Sequence, residues 1–290
     1  MDRRVELGDF LRSRRARLLP EDVGLPPAGR RRVPGLRREE LAALAGVSAD
    51  YYTRLEQGRD VNVSAEVLDA VCRTLRLDNA ERSHLHHLAR PGQPAPARVR
   101  PQGPTHRVRP GLLRVLDTLD NAPAMVVGRR LEILAWNRLA SALITDFAAL
   151  PESGRNGIRL LFLDDSVKDL YPDWEQVARD AVADLRMDAG RHPDDPLLVA
   201  LVGELSELSE DFRRWWAEHP VREKANGTKR FHHPIVGELT LSYETFRLPD
   251  DPDQALVINT AQPGSPSAEA LSLLASWGTK ARPARTAARA

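Results

Sequence analysis

Residues 36–59 read L-R-R-E-E-L-A-A-L-A-G-V-S-A-D-Y-Y-T-R-L-E-Q-G-R, and this stretch decides how the rest of the chain is read. Leu41, Leu44 and Ala45 recur at i, i+3, i+4, the spacing of one helical face. Gly46 supplies the left-handed residue that ends a helix, and Ser48 offers a hydroxyl to cap the free N–H groups of the next. Val47, just outside the second helix, is placed to pack on Tyr52, a staple that fixes the angle between the two helices. Two short helices joined by so tight a turn form a helix-turn-helix.

In that motif the second helix enters the DNA major groove, so positions pointing away from Val47, Tyr52 and Leu55 face bases. These are Ala49, Asp50, Tyr51, Thr53 and Arg54, with Ser48 at the cap. Arg54 is the expected base reader, because a guanidinium reaches guanine O6 and N7 together, whereas Thr53 and Tyr51 reach a phosphate or a thymine methyl. Arg37 and Arg38 sit where the first helix crosses the backbone and are expected as phosphate clamps. Asp50 suits the positive end of the helix dipole and repels phosphate. On these residues the stretch resembles the lambda-repressor and Cro type of helix-turn-helix, the xenobiotic-response-element family. Its pattern is L-A-x-x-A-G-V-S-x-x-Y-x-S-R-x-E-x-G, with Thr53 here where serine is usual.

Toward the N-terminus, Leu7, Phe10, Leu11 and Leu18 make an amphipathic helix whose other face carries Arg12, Arg14, Arg15 and Arg17, either solvated or on phosphate. Seven prolines and glycines from Pro20 to Gly35 make a long loop, and its Arg30, Arg31 and Arg32 are either a phosphate or minor-groove arm or mobile solvated charge. After the motif, Ser64 caps one helix and Asp78 with Glu81 forms the capping box of another ending near Ala89, which completes five helices. His84, His86 and His87 fall at spacings that do not converge on one metal. Cys72, among Val67, Leu68, Val71 and Leu75, reads as a buried small hydrophobe.

Net charge is +1 over the 290 residues, and it divides. Residues 1–109 hold 21 Lys and Arg against 14 Asp and Glu, and residues 110–290 hold 21 against 27. A basic half with a groove-reading motif is the footprint of a nucleic-acid binder, and the acidic half is not. No apolar run nears the roughly 20 residues of a membrane span, and M-D-R-R-V-E-L lacks a signal-peptide stretch, so a cytoplasmic protein without membrane contact is expected.

The proline-rich residues 91–110 read as a linker. The expected division is a DNA-binding domain at 1–90, that linker, a second domain at 111–278 and a flexible tail at 279–290. In the second domain a helix with Leu112, Leu113 and Leu116 precedes two strands, Ala124 to Val127 and Leu131 to Trp136, and a helix capped by Asn137. A helical region from about Ile158 to His219 follows, then three strands with P-D-D-P-D between the last two. This order predicts an α+β, PAS-like domain, an antiparallel sheet with helices covering one face, behind an all-α five-helix domain.

Residues 110–278 resemble, in segments, the ligand-binding domain of MmyB-like transcription regulators. The segments are I-L-A-W-N-R-L-A at 133–140, H-P-I-V-G-E-L-T-L-S-Y-E at 233–244, L-P-D-D-P-D-Q at 248–254 and A-Q-P-G-S-P-S-A-E-A-L-S-L-L-A-S-W at 261–277. The resemblance implies a regulator whose second domain senses a small, lipid-like molecule. Large side chains either fill a solid core or, as the resemblance favours, line an apolar pocket between sheet and helices: Trp136, Phe162, Tyr171, Trp174, Phe212, Trp215, Trp216, Phe231 and Tyr243. Asn137, His219, Arg222 and His233 are candidates for the polar end, with Arg222 the carboxylate partner. A fatty-acid-like ligand and a homodimer on an inverted-repeat operator in double-stranded DNA are therefore expected, with no cofactor and no metal.

No G-x-x-x-x-G-K-[ST], G-x-G-x-x-G, G-x-S-x-G, H-E-x-x-H or C-x-x-C occurs. Catalysis would rest on His232 and His233 with Glu238 or Glu244, yet neighbouring strand residues point to opposite faces. A non-enzyme is expected. Two other readings stay open: a second domain that only dimerises, and an enzyme or lipid carrier fused to a DNA-binding domain.

Overall fold

The computed structural model describes residues 3–26, 35–59, 63–89, 107–192, 194–222, 225–249 and 251–277. The expected arm Arg30, Arg31 and Arg32, most of the linker and the tail 279–290 lie outside these residues. The first five helices are α1 (Arg3–Arg17), α2 (Arg38–Ala45), α3 (Ala49–Glu56), α4 (Ala65–Thr74) and α5 (Asn79–Ala89). Then come α6 (Pro110–Thr118), β1 (Ala124–Gly128), β2 (Ile133–Trp136) and α7 (Arg138–Leu143). The expected helical region resolves into α8 (Gly157–Leu163), α9 (Asp165–Asp169), α10 (Trp174–Arg191), α11 (Pro196–Leu208) and α12 (Glu210–Ala217). The chain closes with β3 (Asn226–His233), β4 (Gly237–Leu248), β5 (Asp251–Thr260) and α13 (Pro266–Trp277).

Two compact units form, and they are not contiguous in sequence. The first holds α1–α5 and also Arg186–Ser206 and residues 213–222; the second holds the described residues 107–185, 207–212 and 225–277. The first unit thus draws on residues from both sides of the 91–110 stretch. Sequence periodicity marks which face of a helix is apolar but not which core receives it.

In the first unit the caps are those the sequence signals. Gly46 takes φ 70° at the end of α2, and the Ser48 hydroxyl accepts from Tyr51 N–H at 3.1 Å. Asp78 and Glu81 exchange their capping-box bonds at 3.2 and 2.8 Å. The core joins Leu7, Phe10, Leu11, Leu41, Tyr52, Leu55, Val71 and Leu85 with Met187 and Val221. One expectation changes. The inward face of α2 is Leu41, Ala42 and Ala45, while Leu44 is 40% exposed beside a cleft of about 490 Å³ bordered by Asp22, Ala70, Arg73 and Arg76.

In the second unit the antiparallel sheet runs β2-β1-β5-β4-β3. One face places Phe231, Leu239 and Leu241 against Leu139 and Leu143 of α7 and Leu271 and Leu274 of α13. On the opposite face Val126, Ala135 and Leu256 receive Leu112 and Leu116 of α6. Helices thus lie on both faces rather than one, because the β1–β5 half presents apolar residues on each side. The β4–β5 connection is also tighter than P-D-D-P-D suggests, since Leu248 already pairs with Asp251.

Candidate functional site

The exposed face of α3 carries Ser48, Ala49, Asp50 and Arg54, while Tyr51 and Thr53 are half-buried and Tyr52 and Leu55 are buried. All six expected groove-facing residues thus lie along one short helix and its cap. The Arg54 guanidinium lies 5.9 Å from the Tyr51 ring centre and 3.7 Å from Asp50, one turn before it. Gln57 follows Thr53 at i+4 and is exposed, a residue on the same face that helical spacing alone would have found.

Arg37 stands exposed at the N-cap of α2, with its N–H on Glu40 Oε2 at 2.7 Å. Arg38, expected as a phosphate clamp, is exposed and is also bonded within the domain. Its Nε donates to Glu56 Oε1 at 2.9 Å, and Glu56 also takes a two-pronged contact from Arg15, each bond 2.9 Å. Glu56 is 1% exposed, and a buried carboxylate must be paired. Burial raises its pKa, but bonds and charge from Arg15 and Arg38 outweigh that and hold it below the usual range. Glu56 was missed as a functional residue, although an acid at the inward i+4 position after Tyr52 signals a buried pair.

The basic face of α1 divides: Arg12 and Arg17 are exposed, whereas the other two arginines are held within the protein. Arg14 and Arg15 are buried, and Arg14 lies 2.8 Å from Glu81. Cys72 is buried, which pushes its thiol up to about 11. The three clustered histidines part company. His84 is fully buried edge-on to Phe10, and burial pushes its pKa down to about 3, whereas His86 meets Asp69 at 3.0 Å. No group able to hold a metal ion exists among the described residues.

The residues expected around a ligand divide between the units. Trp136, Phe162, Tyr171, Trp174, Phe212, Phe231 and Tyr243 belong to the second; Trp215, Trp216, His219 and Arg222 belong to the first. Within the second unit Phe162 meets Trp174 at 5.8 Å and Phe212 at 5.3 Å, both edge-on. Trp174 anchors this trio by donating Nε1–H to Leu161 O at 2.7 Å. Tyr171 tilts over Phe231 at 5.1 Å, and Trp136 over Phe147 at 5.3 Å.

Two of the polar residues expected at a ligand's end, Asn137 and His233, are bonded within the second unit. The Asn137 Oδ1 accepts from Ala124 and Ala140 N–H, and its Nδ2 donates to Leu119 and Ala122 carbonyls, so the side chain ties β1 to α7. His233 is buried, with Nε2 at 3.0 Å from Ala142 O and Nδ1 accepting from Ile235. His232 is exposed on the opposite face, as strand alternation requires. Cations that sequence reasoning missed lie over the aromatic rings instead: Lys168 over Trp174 at 4.2 Å, Arg155 over Trp136 at 5.5 Å and Lys229 over Tyr243 at 4.8 Å.

Residues 6–85 match a helix-turn-helix domain, and residues 108–274, more than half of the chain, match the MmyB-like transcription regulator ligand binding domain. No curated protein matches the chain. No helix among the described residues is long and apolar enough to cross a membrane.

Proposed function

The chain belongs to the MmyB-like transcription regulators, combining a DNA-binding helix-turn-helix with a ligand-binding domain, and we propose that it is a two-fold dimer whose grip on an inverted-repeat operator responds to a fatty-acid-like molecule. On this reading Ala49, Asp50, Thr53 and Arg54 face the major groove, with Gln57 beside them. Arg37 grips a phosphate, and Arg38 serves as the partner of Glu56. One helix-turn-helix touches too few bases to select an operator in a genome, which is the reason for two copies.

The observation that carries the ligand half is the edge-on trio Phe162, Trp174 and Phe212 with Lys168 over the Trp174 face. Aromatic walls beside one cation suit an acyl chain ending in a carboxylate, so Lys168 takes the role that the sequence assigns to Arg222. Trp136, Tyr171 and Tyr243 complete the apolar contact set in this PAS-like unit. Regulation, rather than chemistry, is the activity, and it takes place in the cytoplasm where the operator is.

Native mass spectrometry of the purified protein tests both halves together. The expected spectrum is a dimer carrying a small molecule of acyl-chain mass. A dimer with nothing bound before or after incubation with medium and long acyl chains would replace the sensor by a dimerisation domain.

A further inference from the structure

Helix α1 lies between two partners within the first unit. On one side it meets the C-terminal end of α3. A β-carbon at Gly8 would sit 2.4 Å from the Glu56 carbonyl oxygen, and one at Gly58, which has φ +66°, would sit 2.4 Å from the Arg4 carbonyl. Only glycine allows so close an approach. Arg15 of α1 adds its two-pronged contact to Glu56 and a 2.6 Å bond to Leu36 O. The recognition helix is therefore seated directly on α1.

The other side of α1 is held from the middle of the sequence. Glu6, 5% exposed, is ion-paired with Arg186, which is 0% exposed. Arg186 also donates to Trp216 O, stacks 3.8 Å from that indole, and lies 3.0 Å from His219 Nδ1. Two turns further along α1, Arg14 donates to His219 O at 2.5 Å. Met187 and Val221 enter the same core as Leu7 and Phe10. An Arg and a Glu buried this completely cost much to leave unpaired, so either one alone fixes the place of the other.

We propose that Arg186 is a positioning residue for DNA recognition: by pairing with Glu6 it fixes α1, and α1 in turn fixes the pitch of α3 in the groove. The inference rests on the DNA-binding reading of α3. It makes the DNA-binding unit composite, completed by Arg186–Ser206 and residues 213–222, so that operator affinity depends on a residue far from any base.

The full-length chain supplies the test, through Arg186→Met, Arg186→Lys and the paired Glu6→Leu with Arg186→Met. Amide hydrogen exchange is followed in α1 and α3, with β4 and β5 as an internal reference. Affinity is measured well below the unfolding midpoint on the duplex that the wild-type chain recovers from a randomised library. Arg186→Met is expected to speed exchange in α1 and α3, leave β4 and β5 unchanged, and weaken binding of the duplex about tenfold, since it leaves the buried Glu6 carboxylate with His219 as its remaining partner. The paired variant removes that under-paired carboxylate and recovers affinity to within about threefold, and Arg186→Lys falls between. Should Arg186→Met not fold, the paired and lysine variants decide the matter alone. Unchanged α3 exchange with affinity within twofold of wild type overturns the proposal, as does exchange rising equally in β4 and β5. If the wild-type chain recovers no duplex, the DNA-binding reading fails, and exchange in α3 still judges the positioning role.

Discussion

Glu6 and Arg186, 180 positions apart in the chain, form a buried ion pair that no local sequence signal announces. Burial pushes the Glu6 carboxyl up, yet the His219 bond and the Arg186 charge overcome this and hold it at about 2, below its ordinary 4.5. A depressed folded-state value means stability that is full above about 4.5 and is lost as pH falls toward 2. The urea midpoint of the wild type should therefore drop over that window more steeply than that of Glu6→Gln, which has no carboxyl to protonate. Parallel acid limbs would show that the pair contributes nothing to acid stability.

Two glycines of the same region should respond in opposite directions. A β-carbon at Gly190 would lie 2.3 Å from Nδ1 of the fully buried His84, so Gly190→Ala should cost about 1–3 kcal/mol by overpacking. Gly203, inside α11, has open space around that position, and Gly203→Ala should stabilise by up to about 1 kcal/mol through helix propensity. Thermal unfolding of both variants checks the pair, and a harmless Gly190→Ala would contradict the packing of α10 against α5.

Arg54 and Arg38 should fail differently although both belong to the motif. Arg54→Ala should leave folding intact and cost roughly 1–3 kcal/mol on the selected duplex at one base position, as loss of a bidentate base contact does. Arg38→Ala removes one of the two cations on Glu56 and should cost about 1–2 kcal/mol of unfolding free energy, the scale of a hydrogen bond to a charged group. Urea titrations beside binding to specific and scrambled duplexes separate the two. Equal losses for Arg54→Ala on both duplexes would reduce it to a phosphate contact.

The helix-turn-helix was legible because its signals are local. Gly46, Ser48 and the Asp78–Glu81 box each act within four residues, and each takes the expected geometry. The β4 strand was legible through the alternation of L-T-L-S-Y, whose leucines Leu239 and Leu241 are buried. What escaped depends on distant partners. Leu44 has the right spacing for the core but faces a cleft, and Arg38 looked free because its partner Glu56 comes 18 residues later. Trp215, Trp216 and His219, expected beside the other aromatics, fall in the first unit because an apolar helical stripe does not reveal which unit it serves.

Lys168 and Trp174 make the ligand reading specific. Lys168→Glu should weaken binding of a C14 or C16 fatty acid about tenfold or more while leaving binding of the corresponding fatty alcohol nearly unchanged, because only the carboxylate meets the cation. Trp174→Ala should weaken both, since it removes shared apolar wall. Isothermal titration with the delipidated protein measures each. Equal effects of Lys168→Glu on acid and alcohol would move the headgroup elsewhere.

The most direct test of ligand-controlled DNA binding is operator affinity of the delipidated full-length chain, measured by fluorescence anisotropy while medium and long acyl chains are titrated in. A ligand that prefers one of two arrangements by about 1.4 kcal/mol shifts operator affinity tenfold. The account predicts a saturable change of at least that size, abolished by Lys168→Glu. Operator affinity that stays constant while an acyl chain demonstrably binds would contradict it.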